Sequence, residues 1–226
     1  MLAYIHMKNA FSDRASIIPR LMLAEPGRRW VLRDFTGPDG LSLGMAQGVV
    51  DYLAELGCLE RVSRGPASYF RLSDPDLLLS EWVSRYRLDP GRVHSYYWPH
   101  GDFLARLKKL VPAEKYALAL HAGANLLTGY VKTESAHLYL RLGDWDRELP
   151  ALREALELKR LAEGGNVHFI RPFYKTGAFY GARRIKGYSV VSPLQLYLDL
   201  YNFQPRGREH AEYLRETLKR KGGGLA

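Results

Sequence analysis

The fold of the N-terminal part is decided by a stretch that reads Trp30-Val-Leu-Arg-Asp-Phe35, Gly37-Pro-Asp-Gly40 and Leu41-Ser-Leu-Gly-Met-Ala-Gln-Gly-Val-Val-Asp-Tyr-Leu-Ala-Glu-Leu-Gly57. Two short β-like runs follow it, at residues 59–62 and 68–72. A short helix, a glycine-bearing turn, a longer helix and a hairpin come in the order of a winged helix-turn-helix, whose second helix enters a DNA groove. The stretch therefore predicts a nucleic-acid-binding module.

The longer helix has recognisable ends. The Ser42 hydroxyl can cap its first turn, and Gly57 suits the left-handed residue that closes a helix. Between them, apolar residues recur at helical spacing and predict one buried stripe: Met45, Val49, Leu53 and Leu56.

The opposite face of this helix carries Gly44, Gln47, Gly48 and Asp51. Each interior glycine costs ~1 kcal/mol relative to alanine, a cost that makes sense where the backbone must approach a partner closely. Gln47 is the best-placed residue to read a base edge, because its amide can bond adenine at two positions. Asp51 faces phosphate poorly, so we expect it to orient a neighbouring arginine or to lie beyond the DNA. A solvated polar face is the alternative interpretation.

Arginines surround the module: Arg28, Arg29 and Arg33 flank Trp30, and Arg61, Arg64 and Arg71 lie on or beside the hairpin. Cations in these positions would hold phosphates and set register without specifying sequence. Trp30 itself is expected in the core rather than stacked on a base.

The charge distribution suggests a second contact surface. The chain has a net charge of +9, which favours polyanionic partners. Residues 1–86 contain 10 basic and 10 acidic residues, so residues 87–226 carry the whole excess. We expect a second phosphate-contacting surface in the loop-like stretch 172–187, at Lys175, Arg183, Arg184 and Lys186, with Arg171 beside them. Interleaved aromatic residues would also suit RNA. A solvated basic loop is the alternative.

The order of elements predicts a mixed fold of the α+β or α/β class, an N-terminal winged helix-turn-helix followed by a C-terminal mixed α/β domain. Asp89-Pro-Gly-Arg92 breaks the chain. We assign residues 1–88 to the DNA-binding domain, 89–115 to an aromatic-rich connector and helix packed between the domains, and 116–226 to the α/β domain. Residues 148–162 predict one amphipathic helix.

The sequence argues against a membrane-spanning protein and against a secreted one. No apolar run approaches the length of a membrane span, and the first ten residues lack the pattern of a secretory signal. The lone cysteine, Cys58, cannot form an internal disulfide, which fits a reducing cytoplasm, and we expect it to be buried filler.

Catalytic patterns are scarce, and we predict no enzyme activity, no cofactor and no metal. Asp144 and Asp146, or Glu157 and Lys159, could imitate the carboxylate set of a metal-dependent nuclease. The first pair fits the acidic start of a helix better, and the second pair does not share a helix face. The histidines have no metal-ligand spacing, so we expect hydrogen-bonded structural roles for them.

Four segments carry a family resemblance across nearly the whole chain: the helix at residues 41–57, Asp76-Leu-Leu-Leu-Ser-Glu-Trp82, Tyr116-Ala-Leu-Ala-Leu-His-Ala-Gly123, and Val191-Ser-Pro-Leu-Gln-Leu-Tyr-Leu-Asp-Leu200 with Arg206-Gly-Arg-Glu-His-Ala-Glu212. In these segments the chain resembles the AbiEi-type antitoxins of type IV toxin–antitoxin systems, which act in abortive-infection phage defence.

The resemblance implies two functions. The winged helix would repress the system's own operon by binding promoter inverted repeats in double-stranded DNA, and the C-terminal domain would counter a nucleotidyltransferase toxin without necessarily forming a stable complex with it. Partners would then be DNA and either the toxin or its RNA target. It also implies that Ser42, Gly44, Gln47 and Gly48 face the major groove while Arg61 and Arg64 hold the flanking backbone. The alternatives are a ligand-sensing winged-helix regulator and a metal-dependent nuclease.

Overall fold

The computed structural model describes residues 10–37, 40–65, 67–173 and 176–221. These residues form eight α-helices, one two-stranded sheet and one six-stranded sheet, so the fold is a mixture of α and β structure, as predicted. The chain divides into two compact units, which are Met1–Tyr86 with Leu218–Ala226 and Arg87–Thr217.

The first unit is built from three helices and a hairpin. Its elements are α1 (Ile17–Ala24), a 3-10 turn at Leu32–Phe35, α2 (Leu43–Glu55), β1 (Leu59–Val62), β2 (Tyr69–Leu72) and α3 (Pro75–Arg85). The two strands are antiparallel, with Leu59 opposite Leu72 and Val62 opposite Tyr69. A 3-10 turn at Asp13–Ser16 precedes α1.

Helix α2 has the ends that the sequence predicts but a rotated apolar face. The Ser42 hydroxyl accepts a hydrogen bond from the Met45 amide at 3.3 Å, and Gly57 adopts a left-handed φ of +78°. The predicted stripe is wrong in part, because Met45 is 36% exposed. The buried residues centre one position further along the helix: Ala46, Val49, Val50 and Leu53. Helix α2 packs on the Leu32–Phe35 turn.

Trp30 joins the hairpin to the rest of this unit. Its amide donates to the Phe70 carbonyl at 2.8 Å, and the Phe70 amide donates to the Trp30 carbonyl at 2.7 Å. The indole is 1% exposed and stacks on Phe35 with ring centroids 5.3 Å apart, which confirms its predicted place in the core.

The second unit is a mixed sheet with helices around it. Its elements are β3 (Val93–Tyr96), α4 (Phe103–Leu110), β4 (Tyr116–Ala119), α5 (Leu120–Thr128), β5 (Ala136–Leu140), α6 (Trp145–Ala155), β6 (Val167–Ile170), β7 (Arg183–Ile185), β8 (Tyr188–Val190), α7 (Pro193–Tyr201) and most of α8 (Gly207–Arg220). The strand order is β3-β6-β5-β4-β8-β7. The pairs β5–β6 and β4–β8 are parallel, and the other neighbours are antiparallel.

Three predicted segments differ from the structure. The helix expected at residues 148–162 is α6, which starts at Trp145 and ends at Ala155; Glu157 then takes a left-handed φ of +58°. Beyond it, Lys159 exchanges backbone hydrogen bonds with Tyr97, so pairing replaces the last helical turn. Within the stretch expected to be loop, residues 183–185 form an edge strand, and residues 93–96, expected in a connector, are a strand of the sheet.

Asn166 ties the edge strand β3 to the sheet. Its backbone amide donates to the Tyr96 carbonyl at 3.0 Å, and its side chain both accepts from the Trp98 amide at 2.8 Å and donates to the Trp98 carbonyl at 2.9 Å. The preceding Gly165 has a φ of +133°, and a Cβ there would lie 2.4 Å from the Tyr96 carbonyl oxygen. Only glycine allows β3 to approach this closely.

We predict that Gly165→Ala lowers the free energy of unfolding by about 3 kcal/mol or more, because strain at this φ and the backbone clash add together. Gly164→Ala is the matched control: its φ is +76° and its Cβ would meet nothing within 4 Å. Strain alone should cost about 1 kcal/mol there. Urea denaturation of both variants measures the difference, and equal losses would contradict the close-approach argument.

Candidate nucleic-acid interface

Helix α2 has one face that its own fold leaves uncovered. Gly44 and Gly48 are exposed, and a Cβ added at either would meet no described side chain or neighbouring element within 4 Å. Ser42 is exposed on the same end of the helix, and so are Leu43 at 60% and Met45. The cost of two interior glycines therefore has no explanation in the packing of the described residues.

Gln47, Asp51 and Arg61 form a connected polar cluster on this face. The Gln47 side-chain amide donates to an Asp51 carboxylate oxygen at 2.7 Å, and the Arg61 guanidinium pairs with the same oxygen. Asp51 thus orients a neighbouring arginine, one of the two roles expected for it. The Gln47 amide keeps its carbonyl oxygen and its second N–H for another partner.

A cleft of about 250 Å³ separates this polar face from the hairpin. Its helix side is lined by Gln47. Its hairpin side is lined by Arg61, Ser63, Ser68, Tyr69 and Phe70, and Val31 and Leu32 complete the lining. The cleft therefore offers both hydrogen-bonding and apolar groups.

The six arginines predicted near this module differ in how they are engaged. Arg28 pairs with Glu25 at 3.3 Å, and the Arg71 Nε donates to Glu60 at 2.6 Å across the hairpin. Arg28 also lies over the Trp30 ring at 3.9 Å. These ion pairs, together with that of Arg61, neutralise half of the set.

The positive charges of the other three arginines are not compensated by a carboxylate of the described residues. The Arg29 guanidinium lies 5.0 Å from the centroid of the Tyr69 ring. Arg33 and Arg64 are exposed, and neither pairs with a carboxylate of the described residues. Of these six arginines, Arg29, Arg33 and Arg64 are thus the most open to an added phosphate.

The C-terminal basic residues are divided by the fold. Arg183 and Arg184 lie on the edge strand β7, and Lys186 follows in the tight turn to β8 with a φ of +50°. Arg171 instead follows β6, on the other side of the six-stranded sheet. Lys175 lies outside the described residues. The structure therefore brings three of the five together.

Two lysines that sequence reasoning missed join Arg184. Lys108 and Lys109, in the last turn of α4, line a cleft of about 390 Å³ with Arg184 and Gly187. The Lys108 ammonium lies 5.3 Å from the centroid of the Tyr188 ring. No local signal links residue 108 to residue 184, because the sheet and α4 bring them together only in three dimensions.

The histidines, scattered in sequence, form two stacked pairs, in which His121, His210 and His137 are buried and His168 is half-buried. His121 and His210 stack, with their Nδ1 atoms 2.9 Å apart, and His137 stacks on His168 with ring centroids 4.2 Å apart. The Phe203 ring contacts both His121 and His137.

Hydrogen bonds fix how the first pair is protonated. His121 Nε2 lies 3.1 Å from the Pro205 carbonyl, which can only accept, so this nitrogen carries hydrogen. In the neutral ring, His121 Nδ1 then accepts from His210 Nδ1. His210 Nε2 lies 3.0 Å from the Thr128 hydroxyl oxygen, which also lies 3.0 Å from the Ala124 carbonyl. Burial lowers the pKa of His210 to about 4 and that of His137 to about 3, and it lowers the pKa of His121 and His168. The expected hydrogen-bonded role is confirmed for His121 and His210.

The residues considered for catalysis have structural partners. Asp144 caps α6 by accepting from the Arg147 amide at 3.2 Å, and Glu157 pairs with Arg106 at 2.9 Å. Cys58 is fully buried, and burial raises the pKa of its thiol to about 11, opposite to what a nucleophile needs. Over the described ranges, no three His, Cys, Asp or Glu side chains converge in a way that could hold a metal ion.

Comparison with known families identifies the class. Residues 71–219, more than half of the chain, match a family model described as a transcriptional regulator, the AbiEi antitoxin of type IV toxin–antitoxin systems. The protein is thus a regulator of the antitoxin class. The chain belongs to the AbiEi antitoxin family, which confirms the resemblance inferred from sequence. The matched range begins in β2 and does not include α2.

Neither a search among curated proteins nor a search among solved structures gives a match. Of the helices formed by the described part of the chain, none has the length and apolar character needed to cross a membrane.

The buried histidines predict a loss of stability in acid. Their folded pKa values lie below the ordinary 6.5, so between pH 6.5 and about 4 the unfolded chain binds protons that the folded chain excludes. The free energy of unfolding should therefore fall as pH drops below 6.5. Urea denaturation from pH 7.5 to 5.5 measures this slope.

His137→Gln should flatten the slope, because it removes a ring whose pKa burial lowers to about 3. An unaltered slope in His137→Gln would show that other groups carry the acid sensitivity.

Proposed function

We propose that the first unit is a winged helix-turn-helix that binds duplex DNA, with α2 as the recognition helix and the β1–β2 hairpin as the wing. Support comes from the order of the elements, from the uncovered polar face of α2, and from the Trp30–Phe70 pairing that holds the hairpin in place. The proposed DNA-binding domain is residues 1–88. The proposed antitoxin domain is the six-stranded unit, which takes in β3 and α4 from the predicted connector at 89–115 together with the α/β elements that follow residue 116.

The observation that carries the proposal is the pair of exposed glycines on α2. Together Gly44 and Gly48 cost the helix ~2 kcal/mol relative to alanine. That is a large part of a net stability of about 5–15 kcal/mol. Since a Cβ at either position would project into open space, a close approach by an external partner is the remaining reason to keep them. The floor of a DNA groove is such a partner.

Gln47 is the proposed base-reading residue on this face. With one N–H held by Asp51, its carbonyl oxygen and other N–H can make the paired contact that adenine offers in the major groove. Asp51 acts through Gln47 and Arg61 as a positioning residue. Ser42 can donate its hydroxyl hydrogen to phosphate while it accepts from the helix, and exposed Leu43 can meet a thymine methyl.

Phosphate contacts are proposed for Arg29, Arg33 and Arg64, whose charges are not cancelled by described carboxylates. Arg28, Arg61 and Arg71 would contribute after exchanging or sharing their partners. A second phosphate surface would lie around the 390 Å³ cleft: Lys108, Lys109, Arg183, Arg184 and Lys186, with Lys175 as a further candidate. It would supply the positive charge that the first unit lacks.

Family membership supports the biological role. We propose that the protein represses its own operon in the cytoplasm by binding inverted repeats in the promoter. Two molecules would then occupy half-sites about 10 base pairs apart, or a multiple of this. The second unit would counter a toxin of the nucleotidyltransferase type.

A mobility-shift assay on the upstream promoter tests DNA recognition. Gln47→Ala should cost ~1–3 kcal/mol on the operator but little on unrelated DNA, because it removes a base contact. Arg64→Ala should weaken binding to all duplexes alike, because it removes a phosphate contact. A Gln47→Ala protein with unchanged discrimination would refute the assignment of α2 as the reading helix.

The exposed glycines of α2 lead to a second prediction, in which stability and operator binding change in opposite directions. Gly44→Ala and Gly48→Ala should each raise the free energy of unfolding by up to ~1 kcal/mol, yet weaken operator binding by obstructing the close approach. Gly27→Ala, another exposed position with open space around it, is the control and should leave binding unchanged. Stabilised variants that bind the operator normally would remove the main support for the proposal.

A further inference from the structure

A row of arginines and aromatic rings lies where β3 and β6 meet at one side of the six-stranded sheet. The Arg171 guanidinium carbon lies 5.5 Å from the centroid of the Trp145 ring, and that of Arg92 lies 4.5 Å from the Phe173 centroid. His94 stacks on Trp145 at 5.6 Å. We name Arg92, His94, Trp145, Arg171 and Phe173 the arginine–aromatic row.

The β ladder holds the two arginines of the row side by side. The Arg171 amide donates to the Arg92 carbonyl at 2.8 Å, which continues the pairing of Val93 with Ile170. Arg92 also donates to the Pro172 carbonyl at 3.4 Å. The row therefore lies at the end of the paired strands β3 and β6.

The row carries positive charge with little compensation. Burial is the main cause of the lowered pKa of His94, and the nearby Arg171 and Arg160 lower it further. Arg160 and Arg171 are exposed, and neither pairs with a carboxylate in the described part of the chain. Arg92 is half-buried, and its Nε lies 3.5 Å from an Asp89 carboxylate oxygen, so its charge is partly compensated. Arg160 follows Lys159, which pairs with Tyr97 just beyond β3, and thus adds a third positive charge close to the row.

This combination fits an unpaired nucleic-acid strand. A guanidinium that lies over a ring can still offer N–H groups to phosphate oxygens. Phe173 is 62% exposed and can stack with a base. A duplex hides the faces of its bases, whereas RNA displays unpaired bases in its loops and ends.

We propose that the arginine–aromatic row binds single-stranded RNA, with Arg92, Arg160 and Arg171 on the phosphates and Phe173 stacked on a base. The site lies in the second unit and on the other side of the sheet from β7. It therefore stands independently of the duplex recognition proposed for α2.

Fluorescence anisotropy of the full-length chain with a labelled oligouridine of about 12 nucleotides tests the site. Phe173→Leu keeps the charge and the apolar character but loses the ring, so binding should weaken about tenfold. Arg171→Ala should weaken it at least as much, and Arg171→Lys should fall between it and the wild type. Circular dichroism melts check that these exposed substitutions leave the fold intact.

Arg208→Ala is the matched control, because Arg208 is also exposed and also lies over a ring, that of Tyr201, at 5.0 Å. It should change RNA affinity by less than about twofold. An equal loss in Arg208→Ala and Arg171→Ala would overturn the proposal, as would equal competition by duplex DNA, by single-stranded DNA or by polyglutamate. Gln47→Ala should not affect this assay, so a failure here is distinguishable from a failure of duplex recognition.

Discussion

The pairing of Trp30 with Phe70 is the contact on which the first unit depends. It adds a short third strand segment to the two-stranded hairpin, and it accompanies the burial of the Trp30 indole against Phe35. A two-stranded hairpin alone is marginally stable in water. Because the Leu32–Phe35 turn also packs on α2, this one contact fixes the cleft between helix and hairpin in which Gln47 and Arg61 lie.

The charges of the first unit are used in two ways. Ion pairs occupy Arg28, Arg61 and Arg71, and these pairs hold side chains in place rather than add much stability, since exposed pairs contribute ~0–1 kcal/mol. Arg33 and Arg64 remain open. A unit whose formal charges cancel over residues 1–86 therefore still presents local positive charge beside α2.

The six-stranded sheet separates two basic regions that look continuous in sequence. Arg171 and Arg183 are twelve positions apart, yet the first follows β6 and the second lies on β7, with β5, β4 and β8 between their strands. One region borders an open cleft lined by lysines, and the other is interleaved with rings. The sheet thus gives the second unit two chemically different surfaces.

The sequence by itself determined the ends of α2, the hairpin, the burial of Trp30 and the family, because caps, turns and apolar periodicity act over a few residues. It also placed Gly44, Gln47 and Gly48 on one face. Only the tertiary structure decided that Asp51 bridges Gln47 and Arg61, that Lys108 joins Arg184, that α6 stops at Ala155, and that four histidines pair in two stacks. These depend on contacts between residues far apart in the chain, and local patterns contain no information on which distant partner a strand or helix will meet.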